Sequence, residues 1–121
     1  MTIQNPEKFV AGLWDWGMLD PCFPGKIKVT DIDGLVERKG HFLVLETKSP
    51  GVTIPLGQEI MFKRLQQSRM FTVVVVWGKT NQPQEMQIFY PNGLTSEKKP
   101  ADMEMFKKVV SWWNTQVELQ T

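Results

Sequence analysis

Two pairs of charged residues, separated by a predicted turn, form the pattern in this sequence with the clearest chemical meaning. Asp31 and Asp33 lie one residue apart, and Glu46 and Lys48 lie one residue apart at the end of the apolar run FLVLETK. Because successive side chains of a strand point to opposite faces, each pair projects from one face of its strand. If the two strands form a hairpin, we expect an acidic side chain of the first to come close to Glu46 and Lys48.

Such a cluster of carboxylates predicts a site for a hard cation. Carboxylates held together in a partly buried site repel one another unless a cation stabilises their charged forms. With no His or Cys in the cluster, the expected cation is Mg²⁺ or Mn²⁺, which prefer oxygen ligands. Lys48 would then orient or deprotonate a metal-bound water, or offset the negative charge that develops on a phosphate.

Each charged pair also has a purely structural interpretation. Asp-x-Asp is common in turns, and Glu-x-Lys is common on the solvated face of a strand. However, residues 42–45 are all apolar, which predicts a covered strand, where a Glu and a Lys without partners are costly. The two pairs together therefore favour a functional site.

The composition indicates a single folded domain over residues 1–121. Hydrophobic residues make up 41% and charged residues 22% of the chain, which is close to the average of globular proteins. No apolar run approaches the roughly 20 residues of a membrane-spanning helix, and the beginning of the chain lacks a signal-peptide pattern, so we expect no membrane partner and a cytoplasmic protein. The single Cys22 fits a reducing compartment and excludes a cysteine metal cluster.

The order of the predicted elements indicates an α/β fold. Helices are predicted at 5–16, at 58–70 and from Pro100 onwards, strands at 26–37, 41–48, 71–78 and 85–90, and a loop at 17–25. The first two strands should form an antiparallel hairpin, whereas the helix at 58–70 is the crossover that a parallel pair of strands requires. The run FTVVVVWG predicts a central strand covered on both faces. The sequence thus predicts a mixed β-sheet flanked by α-helices.

The segments DIDG and VLETK resemble the motif of the PD-(D/E)xK nuclease superfamily, an Asp followed by Glu-x-Lys at the end of an apolar strand. One hairpin can span the thirteen residues from Asp33 to Glu46. The helix before the motif, the helix after it and the next apolar strand extend the resemblance over roughly residues 5–78. Small phage or archaeal-type Holliday junction resolvases and compact virus-type nuclease modules are the most similar members. The resemblance implies a restriction-endonuclease-like fold.

Carried over residue by residue, the resemblance implies a metal site with a catalytic Lys. Asp33 and Glu46 would bind Mg²⁺ or Mn²⁺, together with the backbone carbonyl of Thr47. Lys48 would position the attacking water. Gln58 matches the Gln that many members place at the start of the next helix, facing the site, although a polar residue in a first helical turn needs no function.

Two further acids are additional candidate metal ligands. Asp31 shares a face with Asp33, and the pattern leaves open which of the two binds the metal, since Asp31 also suits a turn-capping role. Glu7 corresponds to an extra acidic ligand on the first helix of some members. An acid in the first turn of a helix also stabilises that helix without any metal.

Basic residues flank the candidate site on both sides in the sequence. They are Lys26, Lys28, Lys63, Arg64 and Arg69. Cations around a metal site suit a phosphodiester backbone, where they supply affinity without reading the base sequence, although a solvated helix face explains them equally well. No recognition helix, zinc finger or RNA-recognition motif is visible. We therefore expect these residues to contact DNA that is recognised by its shape.

These patterns predict a metal-dependent DNA endonuclease that is selective for branched or otherwise structured DNA, as a junction resolvase is, in a bacterial or phage-infected cell. The alternative is a non-catalytic nuclease-fold module that binds DNA or acts as a phage accessory or inhibitory protein. The sequence leaves open DNA or RNA as substrate, and resolvase, nickase, exonuclease or repair nuclease as subclass. Trp112, beside the core-facing Trp113, predicts a partner surface, and paired cuts would suit a homodimer.

Overall fold

A computed structural model describes residues 12–120. The chain divides into two compact units, one ending at Asp31 and the other beginning at Ile32. In the first unit, a 3-10 helix spans Trp16–Cys22, and the Asp15 side chain accepts a hydrogen bond from its first turn. The loop predicted at 17–25 was therefore wrong in its first part, because this Asp cap stabilises a turn of helix.

The helix predicted at 5–16 lies largely outside the described residues. Within them, residues 13–15 have no helical structure, so the predicted end of that helix was wrong.

The second unit begins with the predicted hairpin. Strand β1 spans Gly34–Arg38 and strand β2 spans His41–Lys48, paired antiparallel. The two turn residues, Lys39 and Gly40, have φ angles of 53° and 80°, as the twist of a two-residue hairpin requires. The strand predicted at 26–37 was wrong in its first part, because the ladder begins only at Gly34 and residues up to 31 belong to the other unit.

The predicted crossover and the fold class are confirmed. Helix α1 spans Leu56–Gln67 and connects β2 to β3, Phe71–Lys79, which is parallel to β2. Strand β4, Gln82–Phe89, and the short β5, Lys99–Pro100, continue antiparallel. The five strands form one mixed sheet in the order β1-β2-β3-β4-β5.

Strand β3 is the centre of the core. Residues 72–77 are all buried, which confirms the predicted covered strand. Its side chains alternate between two apolar clusters. One cluster lies on the α1 side of the sheet and includes Phe62 and Val75, and the other contains Trp113 and Val117 of the last helix. Two layers of apolar contact therefore fix the strand that lies beside β2.

Helix α2 spans Met103–Leu119 and begins later than predicted. The Asp102 side chain caps it by accepting a hydrogen bond from Met105 N–H at 2.9 Å, whereas Pro100 lies in β5, because a residue without an N–H is tolerated at a sheet edge. As predicted, Trp113 is buried and Trp112 is exposed. In the span 12–120, no helix is long and apolar enough to cross a membrane.

Candidate active site

Asp33 lies one residue before β1 and is held against the end of β2. Its Oδ2 accepts hydrogen bonds from the backbone N–H of Thr47 at 2.9 Å and from the Thr47 hydroxyl at 3.0 Å. Desolvation acts to raise the pKa of Asp33, but these bonds, a hydrogen bond with Glu46 and the charge of Lys48 outweigh it, so the pKa is lowered. Asp33 is therefore ionised at neutral pH.

Glu46 has the opposite electrostatic behaviour. It is only 6% exposed, and desolvation, followed by the hydrogen bond and negative charge of Asp33, raises its pKa to about 7. The charge of Lys48 and a hydrogen bond from the Gln58 side chain oppose this shift. The two carboxyl groups therefore form an unequal pair, in which Asp33 carries the charge and Glu46 holds a proton up to about neutral pH.

Successive side chains of β2 point to opposite faces of the sheet, so the candidate site residues of this strand lie on two faces. Val44 packs in the α1-side cluster, so Glu46 and Lys48, two and four residues later, project to the same side. Thr47 points to the α2 side. The predicted common face of Glu46 and Lys48 is confirmed, and it turns towards the helix that carries Gln58.

Gln58 lies in the first turn of α1. Its Oε1 is buried and has no hydrogen-bond partner among residues 12–120. A buried oxygen without a hydrogen-bond partner costs free energy in the folded state, and a bound ion or water can satisfy it. The sequence predicted Gln58 at the site, and in the structure its side chain acts to lower the pKa of Glu46.

These oxygen donors fit Mg²⁺ or Mn²⁺. Carboxylate and amide oxygens are available from Asp33, Glu46 and Gln58, and hard cations prefer such ligands. No group of three or more His, Cys, Asp or Glu side chains suited to a metal occurs within residues 12–120. The Thr47 carbonyl as a further ligand stays a prediction.

The remaining acidic candidates, Asp31 and Glu7, precede the unit that carries the carboxyl pair, which begins at Ile32. Asp31 belongs to the first unit, where Trp16 Nε1 donates a hydrogen bond to its Oδ1 at 3.2 Å. This contact gives Asp31 a structural role within that unit. Its role as a metal ligand stays a prediction, and Glu7 lies outside the described residues.

The residues predicted to contact DNA are divided between the two units of the chain. Lys26 and Lys28 are exposed residues of the first unit. Lys63 and Arg64 are exposed in the second half of α1, and Lys63 pairs with Glu59 at 3.3 Å. A twelve-residue helix is about 18 Å long, so Arg69, beyond its last turn, lies near the start of β3, far from the carboxylates.

Sequence reasoning missed a set of residues on the α2 side of the sheet. Lys79 ends β3, and Thr80 and Asn81 follow it. All three line a cavity that is also lined by Lys48. The parallel pairing of β2 and β3 was a usable signal, because it brings the carboxyl ends of both strands to one edge.

Comparisons with protein-family models, curated proteins and solved structures found no match. The assignment of this site therefore depends on its own geometry and on the motif in the sequence.

Proposed function

We propose that this protein is a Mg²⁺- or Mn²⁺-dependent nuclease of the PD-(D/E)xK type that hydrolyses phosphodiester bonds in DNA. The observation that carries the proposal is the pairing of Asp33 with the buried Glu46 beside Lys48. Gln58 Oε1, in the same group, has no hydrogen-bond partner within the described residues. A purely structural role does not explain why a covered strand end should hold this costly set of polar groups.

The carboxyl pair is suited to binding a divalent cation. Asp33 is kept ionised by its two bonds from Thr47, so one anionic ligand is ready at neutral pH. Glu46, whose pKa is raised to about 7, releases its proton when a cation replaces it. Gln58 Oε1 would supply a further oxygen ligand for that cation.

Lys48 is the candidate catalytic residue that is not a metal ligand. It projects from the same side of β2 as Glu46, and its charge acts on both carboxylates. In this position its ammonium group can hold the attacking water or stabilise the negative charge on the phosphate. When bound, the cation supplies Lewis-acid stabilisation of that developing charge.

The exposed cations of α1 support a nucleic-acid substrate. Lys63 and Arg64 lie on the helix that begins at the site, and such side chains bind phosphates whatever the base sequence. We extend the proposal to branched or otherwise structured DNA. A homodimer formed through the exposed Trp112 would bring two active sites to one junction.

A cleavage assay tests the proposal. Labelled four-way junction, flap, nicked, single-stranded and duplex DNA are incubated with the full chain in Mg²⁺, in Mn²⁺ and in EDTA. We expect cutting of at least one substrate that requires the metal. Tight binding of a substrate without cutting under any condition would favour the non-catalytic nuclease-fold module instead.

A further inference from the structure

A cavity of about 580 Å³ opens at the end of the sheet that carries the candidate active site. Its walls are the end of β2 with the loop that follows, the turn between β3 and β4, and the first turn of α2. The volume lies within the range of sites that bind small organic molecules. The cavity is therefore large enough for a substantial chemical group.

Two residues of β2 that line the cavity also interact with the carboxyl pair of the candidate active site. Thr47 lines the cavity and donates two hydrogen bonds to Asp33. Lys48 also lines the cavity, and its charge acts on Glu46. Thr47 and Lys48 therefore connect the cavity wall with the carboxyl pair at one strand end. A chain-like substrate that passes over this end can reach both.

The lining has the chemistry of a nucleotide site. Lys48 and Lys79 contribute positive charge, and none of the cavity-lining residues within 12–120 is acidic. Phe106 and Val76 give an apolar wall, and Asn81 adds a side-chain amide. A cation for the phosphate together with an aromatic ring for the base is the combination by which proteins bind unpaired nucleotides.

We propose that this cavity receives one unpaired nucleotide of the substrate strand, next to the phosphate that is held at Asp33 and Glu46. Its base contacts the ring of Phe106, and its flanking phosphate contacts Lys79. A base in an intact duplex is stacked and paired, and it must leave the helix to enter such a cavity. The inference rests on the proposed nuclease function and specifies its substrate class as DNA with an unpaired nucleotide, as in a flap, an overhang or a bulge.

Fluorescence binding in EDTA tests the proposal without any cleavage step. Three otherwise identical DNAs carry 2-aminopurine in a single-nucleotide flap, in a bulge or in a base pair. We expect the full chain to quench the unpaired 2-aminopurine, because the base stacks on Phe106, and to bind the unpaired forms about ten-fold more tightly than the paired form.

Two variants separate the roles of the ring and the charge. Phe106→Leu keeps an apolar side chain but removes the aromatic face, so we expect quenching to be lost and binding of the flap to weaken about ten-fold. Lys79→Gln should weaken binding of the flap while quenching at saturation remains. Lys108→Gln, on the exposed part of α2, is the matched control and should behave like wild type. Thermal unfolding checks that each variant is folded.

Equal affinity for paired and unpaired DNA would overturn the proposal, as would full quenching by a folded Phe106→Leu protein. The result is distinguishable from a failure of the proposed nuclease. Quenching and selectivity in EDTA, followed by no cutting in Mg²⁺, would contradict the nuclease function and leave the cavity assignment in place. Cutting in Mg²⁺ without selectivity for unpaired DNA would contradict only the cavity assignment.

Discussion

Asp33 Oδ2 accepts the backbone N–H of Thr47 at 2.9 Å, so the carboxylate that precedes β1 is bonded directly to the end of β2. The backbone of the hairpin, rather than a flexible side chain alone, therefore fixes one of the two candidate metal ligands. Since Glu46 is the neighbour of Thr47 in β2, the same contact determines the separation of the carboxyl groups. The electrostatic behaviour of the pair follows from this placement.

Metal binding and cleavage should depend on pH through Glu46. Its pKa is raised to about 7, and a cation must displace its proton. At subsaturating Mg²⁺, the cleavage rate should rise about ten-fold per pH unit below pH 7 and level off above it. A pH–rate profile measured at fixed ionic strength checks this, and a rate that does not change between pH 5.5 and 8.5 would contradict the assignment.

Without metal, the free energy of unfolding should fall as the pH rises, whereas the cleavage rate should increase. The folded-state pKa of Glu46 lies above the unfolded value of 4.5. The stabilising contribution of this side chain to the free energy of unfolding is therefore fully present below pH 4.5 and is lost as the pH rises through 7. The loss is about 3 kcal/mol at most. Glu46→Gln removes this dependence, so in EDTA the variant should be more stable than wild type at pH 8 and similar near pH 4.5. Denaturant unfolding at both pH values measures the difference.

Added Mg²⁺ provides the control for that experiment. It should stabilise wild type at pH 8, because it binds the folded state, and should have a much smaller effect on Glu46→Gln. If Glu46→Gln is less stable than wild type at pH 8 in EDTA, the charge of Glu46 does not destabilise the folded state.

Asp33→Asn should abolish metal-dependent cleavage while the protein remains folded. The substitution removes the charge at nearly constant shape, and the remaining amide oxygen can still accept a bond from Thr47. The loss of a charged acceptor should cost about 1 kcal/mol of stability. Asp102→Asn is a matched control, because Asn also caps helices well, and it should cut at the wild-type rate. Cleavage at the wild-type rate by folded Asp33→Asn would remove Asp33 from the site.

Lys48→Ala should lower the cleavage rate with a smaller effect on metal affinity. In the proposed mechanism its ammonium group acts on the water or the phosphate, whereas oxygen ligands would bind the cation. Comparing the rate at saturating Mg²⁺ with the Mg²⁺ titration midpoint separates the two effects, and Lys108→Ala on the exposed part of α2 serves as control. Gross unfolding of Lys48→Ala in a thermal melt would instead indicate a structural Lys.

The carboxyl pair was predictable because it depends on local geometry. A Lys-Gly turn and two apolar strands are enough to define the hairpin, and the hairpin brings Asp33 to the end of β2. The late start of β1 was not predictable in this way, because residues 26–31 alternate like a strand but belong to the other unit. Local patterns cannot show which strand-like residues find a partner.

The cavity could not be predicted from the sequence, for a different reason. Its walls come from three segments, around Lys48, Lys79 and Phe106, which meet only when the sheet and α2 have packed. The unpartnered Gln58 Oε1 likewise depends on how α1 packs against β2. Only the predicted parallel pairing of β2 and β3 indicated that Lys79 would lie near Lys48.

The most direct test of the account is the cleavage rate of Glu46→Gln beside that of Glu97→Gln, an exposed acid outside the site. Both are measured against wild type on the best-cut DNA of the substrate panel, in saturating Mg²⁺ at pH 8, with folding verified by thermal melts. The account predicts that Glu97→Gln cuts like wild type and that Glu46→Gln shows no cleavage above the EDTA background. Wild-type cutting by folded Glu46→Gln would contradict the proposed active site.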